Sequence, residues 1–158
     1  MIPAYSKLYL ADASLALGSM LESAVYLLGV ELSAFWRLFL DSHVSEDFGH
    51  GLSGTVSGKS GWELAAEILD NAGVGFRREK PKGVMGRSRE FWAGWALAQY
   101  QWRSGLTFRE IESFAPLKDL LLMYSPYHEM EIDQFMDAIE KRRNRAGEAV
   151  KDEARQIP

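Results

Sequence analysis

Residues 54–60 read Gly-Thr-Val-Ser-Gly-Lys-Ser, and Gly-Lys-Ser at the start of a helix is how a phosphate-binding loop ends. Backbone amides and a lysine ammonium would there face phosphate oxygens. A nucleotide-hydrolysing loop sets four residues between its glycines, whereas Gly54 and Gly58 enclose three. The sequence supplies neither the buried strand that should precede such a loop nor a later strand ending in a magnesium-binding Asp. What remains is a modest anion site at Gly58, Lys59 and Ser60, weighed against the plainer reading of a glycine-rich approach to a capped helix.

His43 and His50, with Asp41, Glu46 and Asp47, are the right residue types for a divalent cation, but their spacing matches no ligand signature. Solvated or locally hydrogen-bonded side chains are the stronger reading, and no metal site is assigned. His128 beside Glu129 would need a third group, brought in by folding, to become an acid–base pair. Glu110 and Glu112 lie two apart on a helix and so face different ways. No Gly-x-Ser-x-Gly elbow occurs. No catalytic residue and no cofactor is predicted.

The strongest concentration of charge is cationic. Residues 71–89 carry Arg77, Arg78, Lys80, Lys82, Arg87 and Arg89 against a single acid, within a chain of net charge −4. This loop is the best candidate for contact with an acidic partner or nucleic acid. Phe76 is its one aromatic, a thin platform for stacking bases, and a solvated surface loop is the competing reading. Lys141, Arg142, Arg143 and Arg145 form a second cluster, which reads as cations complementing the dipole at a helix C-terminus.

The elements that must position these groups are helices. Apolar residues recur at helical spacing over 8–28, 31–43 and 62–69, with Gly29 and Gly73 as stops. Ser60-Gly61-Trp62-Glu63 and Thr107-Phe108-Arg109-Glu110 match the capping box, and Ser88 caps the most distinctive helix, 88–104. There Phe91, Trp95, Ala98 and Trp102 share a face and Trp92, Ala96 and Tyr100 widen it, so the tryptophans read as core. Gly94 costs about 1 kcal/mol against Ala in an exposed helix, which assigns it to close approach of a neighbour. A last helix over 131–145 carries Ile132, Phe135, Met136 and Ile139 inward, and the polar residues beyond 146 read as frayed. The expectation is an all-α bundle of six to eight helices around the Trp-rich helix 88–104, with one domain over 1–146 and a polar tail over 147–158.

Cys is absent, which excludes disulfides, thiolate nucleophiles and iron–sulfur clusters and suits a cytoplasmic protein. No apolar run approaches the length of a membrane span, so no membrane association is expected.

Three stretches together resemble a poorly characterised family of bacterial helical proteins. They are Tyr9-Leu10-Ala11-Asp12-Ala13 with Leu17-Gly18-Ser19-Met20-Leu21, then 56–64, then the Trp-Ala-Gly-Trp-Ala-Leu-Ala-Gln-Tyr-Gln-Trp run that begins at Trp92. The likeness spans about residues 8–140. Members often continue into a repressor-type helix-turn-helix domain, for which too few residues follow Lys141 here. The resemblance implies a regulatory or antitoxin-like component that senses or holds a partner, and it carries over no catalytic residue. The leading reading is therefore a non-enzymatic protein–protein interaction module of unidentified target, with a homo-oligomer as one form of partnership. The alternatives are a phosphate-ligand or nucleotide-binding protein using Gly58, Lys59 and Ser60, and nucleic-acid contact through the basic loop.

Overall fold

The computed structural model describes residues 2–77, 86 and 88–158. After a 3-10 turn at Lys7–Tyr9 come α1 (Leu10–Tyr26), α2 (Leu32–Asp41), α3 (His43–Gly49), α4 (Ser53–Val56), α5 (Gly61–Asn71), α6 (Arg89–Ser104), α7 (Phe108–Glu112), α8 (Leu117–Tyr127) and α9 (Ile132–Arg155). The described residues are all-helical and contain no strand. The described residues form nine helices, against the expected six to eight. The additions are short: Ser42 breaks the second segment in two, and α4 forms inside the glycine-rich stretch 49–61. At the break the Ser42 hydroxyl donates to the Phe39 carbonyl at the end of α2 and accepts from the Ser45 amide at the start of α3.

The centre is a pair of helices, α1 and α6, with α5 and α4 also laid against α1. α1 buries Ala13, Ala16, Leu17, Gly18, Met20, Leu21 and Ala24, small and large residues together around most of its circumference. Its backbone touches that of α6 directly. A Cβ placed on Gly94 would lie 2.7 Å from the Leu17 carbonyl oxygen and 2.8 Å from Gly18 Cα, and one on Gly18 would lie 2.7 Å from the Phe91 carbonyl oxygen. Gly61 does the same for α5, since a Cβ there would collide with Met20 N. Gly94 therefore has the role its sequence position suggested. Across the same contact Gln99 donates to the Ser14 hydroxyl at 2.9 Å.

This contact corrects the picture of a single central Trp-rich helix. α6 shares the centre with α1, and the face it buries is Ala93, Gly94, Ala96, Leu97, Ala98, Tyr100 and Gln101. No indole fits between backbones in contact, so Trp92, Trp95 and Trp102 are displaced to the flanks, where each is only half-buried. Aromatic packing of the expected kind occurs elsewhere. Trp36 stacks on Phe39 at 4.7 Å between centroids, and Phe108 of α7 sets its edge against Trp36, Phe39 and Phe48. Trp36 Nε1 donates to Glu112 at 2.8 Å, satisfying its one polar atom.

Local chemistry fixes the helix ends. Ser60 and Ser88 accept from the Glu63 and Phe91 amides, and Thr107 with Glu110 forms a reciprocal capping box. Gly105, at φ +70°, ends α6 in the left-handed conformation that suits glycine. α9 continues as an exposed helix through Arg155, past the point where the rising polarity read as fraying. Ala, Glu, Lys and Arg in that stretch are strong helix formers, so polarity there marks solvation of a helix.

Candidate functional site

The Gly58-Lys59-Ser60 segment lies beside a groove of about 380 Å³ between α1 and the start of α5. Its side chains and the neighbouring Ser57 are engaged within the protein. Lys59 Nζ sits 2.9 Å from Glu67, the Ser60 hydroxyl caps α5, and Ser57 donates to Asp12 at 2.6 Å. Asp12 and Glu22 line the same groove, so two carboxylates face any anion entering it. That arrangement disfavours phosphate.

Of the basic loop, Arg78, Lys80, Lys82 and Arg87 lie outside the described residues. Its two described ends rest on α1 and on the residues just after it. The Arg77 amide donates to the Leu28 carbonyl at 3.2 Å, and the Gly86 amide donates to both Glu22 carboxylate oxygens at 2.8 and 3.1 Å. Arg89 Nε lies 3.4 Å from Glu90, whose other oxygen accepts from Tyr26 at 3.0 Å. Burial first, and then this Glu90 contact, raise the Tyr26 phenol above its ordinary pKa. Glu22 and Glu90 are each only 5% exposed. Sequence reasoning missed both, although a carboxylate at position 22 inside the apolar run from Leu17 to Ala24 was the available signal.

The histidines and acids do not converge. His43 faces Glu67 at 3.4 Å, Asp41 pairs with Arg109, and His50 lines a different cavity of about 260 Å³ with Glu46 and Gln101. Among the described residues no group of three or more His, Asp or Glu side chains is placed to hold a metal. His128 stacks on Tyr124 at 4.1 Å, with Nδ1 2.7 Å from the Tyr124 carbonyl and Nε2 3.5 Å from Glu129. Glu110 closes the α7 capping box, and Glu112 accepts from Trp36 and from the Leu117 amide. These acids hold the fold together.

What the structure does assemble is an aromatic face. A second groove, of about 410 Å³, is lined by Phe91, Trp92 and Trp95 of α6, Tyr124 of α8 with His128 just past its end, and Leu15 of α1. Leu15, 54% exposed, also lines the first groove, whose far wall includes Trp62. The two grooves thus adjoin across one exposed leucine, with half-buried tryptophans on either side. Trp92 is held by edge contacts with Tyr124 and Phe135 at 5.9 and 5.3 Å, so this side of the face is pre-organised.

Comparison with family models, with curated proteins and with solved structures gave no match to this chain. The likeness drawn in the sequence rests on its three stretches alone. No helix among the described residues is long and apolar enough to cross a membrane.

Proposed function

We propose that this chain is a non-enzymatic protein–protein interaction module, regulatory or antitoxin-like in the manner its sequence resemblance implies, and that it holds its partner on the aromatic α1–α6 face. The observation that carries this reading is the pair of grooves meeting at Leu15, flanked by Trp62 on one side and Trp92 and Trp95 on the other. Tryptophan and tyrosine dominate binding energy at protein interfaces because they desolvate a large area with few rotamers to freeze. A ring that packs its inner edge and leaves its outer edge in water offers that area ready oriented. The polar groups around it, Ser57, Lys59, Asp12 and His128, supply a rim of the kind interfaces carry.

The test is co-expression with the product of the adjacent gene, followed by co-purification of wild type and of Leu15→Glu and Trp95→Ala. Loss of the partner from both variants, with circular dichroism unchanged, supports the reading. Equal retention of the partner by both variants refutes the assignment of this face, and failure of wild type to bind removes the reading itself. Thermal stabilisation of the unaccompanied chain by millimolar nucleotide would instead favour an anion site at Gly58, Lys59 and Ser60.

A further inference from the structure

The cations at 141–145 have lost the explanation the sequence offered. Helix-dipole effects fade within the last turn, and α9 runs on to Arg155, nearly three turns beyond Arg145. Arg142 is accounted for by its 2.9 Å pair with Asp119 of α8, and Arg143 by Glu140 at 3.7 Å. Lys141 and Arg145 make no ion pair among the described residues, and both are exposed.

These two side chains form one wall of a groove of about 620 Å³ between α8 and α9, the largest of those described here. Met123, Tyr127 and Ala138 are its apolar lining, with Met130, 47% exposed, and Gln134, Asp137 and Arg142 line it beside them. Leu122, 76% exposed and one turn from the groove-lining Pro126 along α8, extends the apolar surface outward. The α9 side runs from Gln134 to Arg145, about 16 Å at 1.5 Å per residue, the length of three helical turns. Asp137 lies toward the end opposite Arg145, so the groove is positive at one end and negative at the other.

We infer that this α8–α9 groove docks an acidic amphipathic helix of a partner protein. Unbranched methionines adapt to the apolar side chains of such a helix at i, i+4 and i+7, as they do at other adaptable peptide-binding surfaces. Lys141 and Arg145 stand one turn apart, so two carboxylates four residues apart on the incoming helix meet both. Asp137 sets the direction by favouring a cation at the helix's other end. Two unpaired cations beside a methionine lining suit a helix better than nucleic acid, which calls for a longer run of phosphate contacts. The site lies on the other flank of α8 from the aromatic face and does not depend on it.

The test uses the full chain with 13C-labelled methionine methyls and two synthetic helical peptides of fourteen residues. Both carry the same leucine stripe, and they differ only in two Glu or two Lys placed four apart. Saturable shifts of the Met123 and Met130 methyls with the Glu peptide, at least tenfold tighter than with the Lys peptide, support the site. So does reversal of that preference in Lys141→Glu/Arg145→Glu, whose exposed positions leave the fold intact. Equal binding of the two peptides, unmoved methionines, the same shifts on raising protein concentration alone, or tighter binding of a DNA 20-mer there would each overturn it. Leu15→Glu must leave the peptide affinity unchanged, which separates failure of this inference from failure of the aromatic face.

Discussion

Replacing Gly94 by Ala sets two effects of known sign against each other. In an exposed helix interior the substitution stabilises by about 1 kcal/mol, because glycine gives up more backbone freedom on folding. Here the new methyl would sit 2.7 to 2.9 Å from the Leu17 oxygen, Gly18 Cα and Gly18 N, all backbone atoms that no rotamer change can move aside. α1 and α6 must separate, and every small residue between them loses contact at once. Overpacking of this kind costs typically about 1–3 kcal/mol, and a backbone-to-backbone contact belongs at or above the top of that range. Less the propensity gain, Gly94→Ala should destabilise by about 2 kcal/mol or more. At about 2–4 °C per kcal/mol for a chain of this size, the melting temperature should fall by at least about 4–8 °C. Urea denaturation followed at 222 nm reads the change as a lower midpoint with an unchanged slope. Gly147→Ala is the control, since nothing lies within 4 Å of its Cβ position on exposed α9. A Gly94→Ala midpoint equal to or above wild type would refute the backbone contact and the central pairing of α1 with α6.

The tyrosines give two further expectations. Tyr5→Phe should be neutral or stabilising by up to about 1 kcal/mol in urea denaturation, because it removes a buried hydroxyl that has no hydrogen-bond partner among the described residues. Tyr100→Phe should cost about 1 kcal/mol by the same assay, losing a 2.6 Å bond to Glu140, whose partial exposure lets water recover part of it. Alkaline stability follows from the same groups: burial pushes the Tyr5 phenol up to about 12, and burial followed by the Glu140 bond raises Tyr100. Above the ordinary value near 10 the unfolded chain gives up these protons first, so their contribution is whole below pH 10 and lost as pH climbs toward 12. Urea midpoints at successive pH values should hold to about pH 10 and then fall, less steeply in Tyr5→Phe. An unchanged fall in that variant would contradict the assignment.

What the sequence disclosed and what it hid divide along a physical line. Caps at Ser60, Ser88 and Thr107 were legible because the groups they satisfy lie within three residues. Gly94 was legible because glycine in a helix is costly unless something stands close by. The centrality of α1 was hidden: its Ala, Ser and Gly positions carry little hydrophobic signal, and smallness gains meaning only once the facing helix is known. The exposed end of α9 was misread because polarity alone does not separate a frayed segment from a solvated helix. Neither groove was visible, since Leu15, Trp62 and Trp95 come from three helices that only the fold brings together. Of the glycine-loop residues found as a motif, Lys59 lies against Glu67 and Ser60 caps α5, contacts that no local spacing announced.

The close contact of α1 with α6 and the aromatic face are one structural fact seen from two sides. Periodicity placed Trp95 in the core, whereas it is half-buried beside the face α6 buries; what periodicity could not supply was the distance to the next helix. Glycine at 18 and 94 sets that distance near its minimum, and an indole on a neighbouring turn then has no interior to enter. The ring stays half-buried at the flank, where it lines a groove. A looser pairing of these helices would admit the rings and erase the face. Gly94 and Gly18 thus bear on the aromatic face as well as on stability, although neither lines either of its two grooves.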